Sequence, residues 1–508
     1  MLVRKRLVGA DGTRYIAGMS TLPDLDPETC FRAFETRDAR FDGRFFVAVR
    51  TTRIFCRPVC PARTPKRANV EFHGSAASAF ASGFRPCLRC RPERAPRPAG
   101  ETAGAALVAR ALAEIDAGAL DDASLEALSA RIGVTSRHLR RLFGSYLGAA
   151  PNAVAQTRRL MFARQLIDET DLPMTRIAFA AGFASVRRFN AAIAQAYRCT
   201  PSQLRQHPAT RRAGGGGTIT LRIAPMDASS MAALLRFYAA RVFRGVEAVD
   251  ATGYARSVRM GECVGWFAVR AADDMLMLDS SLPDASQLPR LVARVRRMFD
   301  LASARGAISA HLGADEGLAA ALVGGAPRVP CAWDAFELAV RAVLGQQISV
   351  VAATTLAGRL VDRFGSAVES GDARLARLFP SAADLAGANI ADLTALGIVR
   401  ARAATIITLA QHVNAHPAWR DTYPGLDGFC VEFTALPGIG PWTAQYVAMR
   451  GFADPDAFPA GDLGLLRSAR ALGIADTARE LERRAERWRP WRAYAAQALW
   501  NHSAKDAA

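Results

Sequence analysis

Four consecutive glycines, residues 214–217 inside "RRAGGGGT", rule out one continuous core for this chain. Glycine has no side chain to bury and loses the most backbone freedom on folding, so the run reads as a linker over 213–217. Upstream, proline and arginine crowd "RPERAPRPAG" (residues 91–100), a second break that closes a first domain. Length agrees, since 508 residues exceed one core and imply roughly three or four domains. Residues 1–18 join none of the later patterns, so Met19 is the expected effective start and 1–24 an N-terminal extension.

Cys56 and Cys60 in "IFCRPVCPAR", then Cys87 and Cys90 in "FRPCLRC", form two tight pairs across a loop of 26 residues. A short pair occupies two adjacent vertices of a tetrahedron and the second pair closes it, which suits one Zn2+. Most such clusters are passive clips. Zinc also keeps a thiol deprotonated at neutral pH, however, and only a thiolate attacks. Spacing alone leaves both uses open. Nine cysteines, an odd number with four in tight pairs, fit a reducing cytoplasmic setting better than a disulfide framework. No apolar run reaches the roughly 20 residues of a membrane span, and the start lacks the apolar core of a secretion signal.

A formal net charge of +18 and a pI near 10.3 imply a polyanionic partner, nucleic acid or an anionic membrane surface. Residues 131–212 concentrate that charge, with fourteen arginines, no lysine and three acids for a net +11. Within them "SLEALSARIGVTSRHLRRLF" (124–143) has the apolar spacing, turn glycine and Thr135-Ser136 helix start of a helix-turn-helix. "MTRIAFAAGFASVRRFNAAIAQAYRCTPSQLR" (174–205) repeats the scheme. Each second helix opens on polar residues that would enter a major groove: Arg137, His138, Arg140 and Arg141, then Ser185, Arg187, Arg188 and Asn190.

After the glycines, "TITLRIAP" and "YARSVRMGECVGWFAVRAADDMLMLDSS" read as short strands, and from about Asp334 the pattern turns helical to the end. In "LPGIGPWTAQYVAMRG" (436–451), Gly438 and Gly440 flank an isoleucine, a tight hairpin whose free amides at a helix start, before Thr443, can accept a DNA phosphate. In "DAFPAGDLGLLR", Asp462 stands just before a helical pattern, where an ordinary helix cap is the commonest use of aspartate.

Residues 42–93 closely resemble the amino-terminal domain of the Ada family of DNA methylphosphotriester repair proteins, with all four cysteines in register. The resemblance implies that Cys56, while remaining a zinc ligand, takes a methyl group irreversibly from a DNA phosphotriester. Four thiolates on one dication carry a formal double negative charge, so methylating Cys56 would strengthen DNA binding. Thr52, Arg63 and Arg85 match DNA-contacting positions of that family. The paired helical motifs resemble the AraC-family DNA-binding domain, carried by "AGFASVRRFNAAI" and "TPSQLR".

Residues 218–505 resemble AlkA-type alkylpurine DNA glycosylases through "AFELAVRAVLGQQIS", "LPGIGPWTAQY" and "RWRPWRAYAAQALW". The resemblance places the catalytic aspartate on Asp462, stabilising the positive sugar and orienting water. It places the base pocket on Trp442, Tyr446 and Trp500, and the wedge that fills the flipped base's gap on Gln347 instead of leucine. It further implies that the carbonyls of Thr434, Leu436 and Ile439 could hold a monovalent cation. Gly461 stands where some members of that family carry an acid. Bifunctional members use a hairpin lysine where this chain has Trp442, and its three lysines, Lys5, Lys66 and Lys505, lie elsewhere, so hydrolysis without a lyase step is expected. Cationic alkylpurines leave easily and stack on electron-rich rings. The Pro-Cys-His-Arg motif of a second Ada methyltransferase is absent, and Cys30, Cys199, Cys263, Cys331 and Cys430 read as core residues.

The expected fold is multidomain, mainly α with α+β parts. It comprises a four-cysteine zinc domain (25–95), tandem helix-turn-helix (96–212), mixed α/β subdomain (218–325) and helix-hairpin-helix glycosylase domain (326–508). The expected function is DNA alkylation repair coupled to transcription regulation, the rival being a regulator whose glycosylase half only binds DNA. Expected partners are double-stranded, alkylated and promoter DNA, with RNA polymerase a further one and no membrane. A monomer is expected, in the cytoplasm at the nucleoid.

Overall fold

The computed structural model describes residues 6–8, 14–16, 26–92, 95, 103–206, 218–420 and 423–505. The glycine linker 213–217, most of the 91–100 break and most of the N-terminal extension lie outside the described residues. Two compact units are present, Met1–Arg164 with Ala181–Leu204, and Gln165–Ala180 with Arg205–Ala508.

In the first unit a four-stranded sheet runs in the order Val70–His73, Phe46–Val49, Ile54–Cys56, Arg85–Pro86, antiparallel except for its last, parallel pair. Successive strand residues face opposite sides. Val47 and Val49 therefore join Phe34 of the helix Pro27–Glu35 and all four paired cysteines in one core. Phe46 and Ala48 point the other way, into a second core with Phe55, Phe84 and Met161. Met161 belongs to the long helix Pro151–Glu169, so the sheet and the helical segment share a core. The helices Leu125–Ile132 and Ser136–Leu147 bury Leu128, Leu139 and Phe143 against Val108 and Ile115 of Ala103–Asp116.

In the second unit a five-stranded antiparallel sheet runs in the order Ile219–Pro225, Met275–Ser281, Cys263–Ala272, Gly253–Met260, Glu247–Val249. Helices already stand at Ala228–Ala239, Leu288–Met298 and Arg305–Leu312, ahead of the Asp334 onset. The helix Leu288–Met298 buries Leu288, Pro289, Leu291, Val295 and Met298, while Arg290, Arg294, Arg296 and Arg297 take four of its six other positions. Those arginines dilute the apolar signal that the eye follows in a sequence. Asp334 then caps Ala335–Leu344 through the Phe336 and Glu337 amides, and helices continue to Lys505. Arg256 in the sheet, 2 % exposed, is paired with both Glu247 and Glu337, joining sheet to helix. Among the described residues no helix is long and apolar enough to cross a membrane.

Candidate functional site

The four sulfurs converge. Their Sγ atoms all lie within 4.8 Å of one another, Cys60 and Cys87 at 3.9 Å. Thiolates around Zn2+ at about 2.3 Å per bond form a tetrahedron with edges of about 3.8 Å, so the set fits that ion. The Cys87 amide donates to the Phe55 carbonyl next to Cys56, which holds the second pair against the first. Exposure does not single out Cys56, at 6 % against 1 % for Cys60, 8 % for Cys87 and 7 % for Cys90. The Arg57 amide donates to Cys90 Sγ at 3.3 Å, the Ala62 amide to Cys60 and the Cys90 amide to Cys87, and a donated N–H stabilises a thiolate.

Arg57 is a residue that the sequence reading passes over. Its Nε donates to Asp42 Oδ1 at 2.9 Å, its Nη2 pairs with Asp42 Oδ2, and its Nη1 donates to the Cys90 carbonyl at 3.1 Å. Both side chains are buried. Removing one partner of a buried pair strands the other charge, at about 3–5 kcal/mol. Arg57→Met should therefore weaken zinc retention about 10–100-fold, measured by chelator competition. Retention equal to that of the unaltered protein would mean the pair does not support the cluster.

Thr52 is exposed in the turn between Phe46–Val49 and Ile54–Cys56, and the Arg85 amide donates to the Arg53 carbonyl at 2.8 Å, setting Arg85 beside that turn. Arg63 is exposed as well. Cys30 and Cys331 are core residues, each thiol pushed up to about 12 by burial. Cys199, Cys263 and Cys430 are only half-buried, so the core expectation holds for two of five.

The first reading helix starts at Ser136, capped by the Thr135 hydroxyl accepting from the His138 amide at 3.2 Å after a turn in which Gly133 takes φ +82°. Arg137, Arg140 and Arg141 are exposed, whereas His138 is half-buried with its Nδ1 3.2 Å from Arg141 Nη2. In the second, Val186–Tyr197, Arg187, Arg188 and Asn190 are exposed. Ser185 instead spends its hydroxyl as the cap, accepting from the Arg188 amide at 3.3 Å.

The hairpin joins the helices Leu426–Thr434 and Pro441–Gly451. Gly438 takes φ +84°, and a Cβ there would collide with the Thr405 hydroxyl, so Gly438→Ala should cost about 2–4 kcal/mol in a denaturant titration. An unchanged midpoint would contradict the packing. A Cβ on Gly440 would meet nothing within 4 Å. No side chain caps Pro441–Gly451. Thr443 is corrected: it is 2 % exposed, with Gln346 Nε2 3.4 Å from its hydroxyl, so its side chain lies inside and only its backbone can serve DNA. Gln346 Nε2 also donates to the Gly438 carbonyl at 3.0 Å, and Arg402 donates to the Gln346 carbonyl. These contacts, unread in the sequence, fasten the loop that presents Gln347, which is exposed at φ +57°.

Asp462 is both cap and site. Its Oδ1 accepts the Gly464 and Leu465 amides at 2.9 and 3.1 Å and the Trp500 indole N–H at 2.8 Å. Its Oδ2 accepts the Trp442 indole N–H at 3.0 Å. Trp442 stacks on Tyr446 with centroids 5.0 Å apart and 10° between planes. The structure thus brings the expected carboxylate and all three expected rings together, the rings half-buried. Beside Asp462, a Cβ on Gly461 would meet open space. The Leu436 carbonyl, an expected cation ligand, accepts the Ile439 amide at 3.1 Å.

Comparison with known proteins covers nearly the whole chain. Residues 29–93 match the metal binding domain of Ada, 128–207 a helix-turn-helix domain, 220–334 the AlkA N-terminal domain, and 340–493 the HhH-GPD superfamily of base excision DNA repair proteins. A Mycobacterium tuberculosis protein described as a probable bifunctional transcriptional activator/DNA repair enzyme AlkA is 41 % identical over 486 residues, 94 % of this chain and 96 % of the relative. DNA-3-methyladenine glycosylase 2 of Escherichia coli is 35 % identical over 53 % of this chain and 92 % of its own. The bifunctional transcriptional activator/DNA repair enzyme Ada of Escherichia coli is 34 % identical over 38 % of this chain and 50 % of its own.

Proposed function

Because the chain belongs to the family of bifunctional transcriptional activator/DNA repair enzymes called AlkA, we propose that it hydrolyses alkylated purines from DNA at Asp462 and reports phosphate methylation through Cys56. The chain is a DNA-binding repair enzyme and regulator with one Zn2+ on Cys56, Cys60, Cys87 and Cys90. One observation carries the excision reading: the Asp462 carboxylate is held between two indoles of an aromatic pocket. A purine turned out of the duplex stacks on those rings. The C1′–N bond then breaks with its electron pair on the base, the carboxylate offsets the positive sugar, and water adds to C1′ as its proton passes to Asp462. A lyase step would need an amine, and Trp442 occupies the hairpin position where the bifunctional enzymes carry lysine.

Bound zinc keeps the four thiols deprotonated at neutral pH. Cys56 Sγ bonds the methyl carbon, the methyl C–O bond breaks, and its electron pair leaves a phosphodiester anion. The cluster's formal charge falls from minus two to minus one, so repulsion from phosphate drops and the unit grips DNA harder. Cys56 follows Phe55, whose ring packs in the core that includes Met161 of the helical segment, so the methyl acceptor stands next to a core shared with that segment.

At the hairpin, open space at Gly440 leaves room for a phosphate. Gly440→Ala should keep the unaltered denaturant midpoint and lose about 10-fold in affinity for undamaged duplex, read by a binding titration. Unchanged affinity would remove the hairpin from the interface. The direct test of excision is incubation of the whole chain with alkylated duplex. Free alkylated purine should accumulate over many turnovers with the abasic strand uncut. Release of none would leave a regulator whose carboxy-terminal half only binds DNA.

A further inference from the structure

Trp442, Tyr446 and Arg450 follow one another at intervals of four along the helix Pro441–Gly451, so they form a column on one of its faces. The column starts at Asp462, through the Trp442 indole, and ends on the Arg450 guanidinium, 5.5 Å from the Tyr446 centroid. The same guanidinium lies 4.9 Å from the Trp500 centroid and 4.5 Å from that of Phe237. Arg450 is 3 % exposed, donates to the Pro330 carbonyl at 2.7 Å and to Gln497 Oε1 at 2.8 Å, and leaves its Nε without a partner among the described residues. Among the described residues no carboxylate forms an ion pair with it. That is unlike the buried Arg57, Arg256 and Arg492, which are paired with Asp42, with Glu247 and Glu337, and with Asp456 and Glu486, whereas Arg341, 9 % exposed, likewise pairs with no carboxylate among the described residues. A buried, unneutralised cation is costly, and here it backs the rings of the pocket.

We infer that Arg450 sets the electrostatics of base departure: its charge, carried through Tyr446 and Trp500, weakens the hold on cationic bases and favours electron flow into the departing purine. The inference rests on the excision reading above. When the C1′–N bond breaks, the base gains its electron pair, so an alkylpurinium leaves neutral and an uncharged purine leaves as an anion that takes a proton from solvent. Either way the base becomes more negative by one charge, which a fixed cation in a water-poor site favours. In the ground state only the alkylpurinium is repelled. Rings already polarised by a guanidinium offer less to a second cation, so the stacking preference for cationic purines drawn from the sequence is blunted here. Arg450 touches no substrate and is a positioning residue.

The test uses the whole chain and duplexes bearing one cationic 7-methylguanine or one neutral hypoxanthine. Single-turnover rates and half-saturating concentrations are measured for the unaltered protein, Arg450→Met and Arg450→Lys. Arg450→Met should slow release of both bases about 10-fold or more, and lower the half-saturating concentration for the cationic base alone. Arg450→Lys should recover most of the rate. A merely structural role would raise the half-saturating concentration for both bases, and that result, or an unchanged rate, overturns the inference. If Arg450→Met does not fold, the unaltered protein still decides. Free neutral 3-methyladenine should inhibit at lower concentration than its permanently cationic counterpart methylated at N9, and the reverse order would be contrary. Release of neither base by the unaltered protein would sink the excision reading itself.

Discussion

Asp462→Asn is expected to slow release of alkylated purines by about 10²–10⁴-fold while leaving the glycosylase domain folded. An amide oxygen can still accept the Gly464 and Leu465 amides and the Trp500 indole that now meet Oδ1, so the helix cap survives. The other carboxylate oxygen becomes an NH2 group facing the Trp442 N–H, two donors that repel. Lost with it are the negative charge that offsets the positive sugar and the acceptor for the proton of water. Single-turnover release from alkylated duplex, beside a thermal melt, separates the two consequences. Equal rates with an intact fold would mean that Asp462 is only a cap.

Zinc removal is the second large effect. The cysteine sulfurs are part of the core that holds Phe34, Val47 and Val49, so losing the ion opens that core and leaves residues 26–92 to the second one around Phe46, Phe55 and Phe84. Zinc binding in small thiolate domains supplies on the order of 10 kcal/mol of folding free energy at neutral pH. A strong chelator should therefore unfold this domain and abolish methyl uptake. Asp462 and its rings lie in the other compact unit, so base release should continue at the unaltered rate. Loss of both activities together would contradict two separate active sites.

How much of this was readable beforehand depends on the distance over which each feature acts. Cys56, Cys60, Cys87 and Cys90 announce themselves because metal ligands come in short pairs, and the hairpin does so because its glycines sit two apart. Asp462 could be placed beside Trp442 and Trp500 only through family resemblance, since those residues stand 20 and 38 positions away. The pairing of Arg57 with Asp42, the fastening of the Gln347 loop by Gln346 and Arg402, and the stack ending on Arg450 had no sequence signal. Each is made by a polar side chain of a common type whose burial no periodicity reveals. Thr443 shows the opposite failure: it sits inside a recognisable motif, yet the fold turns its hydroxyl inward to Gln346. Helices rich in arginine, such as Leu288–Met298, escaped for a related reason, their apolar positions being separated by charge.

The claim that this chain senses damage as well as removing it stands on Cys56. The whole protein is incubated with methylated duplex, digested with trypsin and weighed, and the peptide Ile54–Arg63, which contains both Cys56 and Cys60 because trypsin spares the Arg57-Pro58 bond, is fragmented to locate any added mass. One methyl group on Cys56, with none on Cys60, Cys87 or Cys90, is the expected result. No added methyl, or a methyl spread over the four cysteines, would reduce the cluster to a zinc clip and contradict the account.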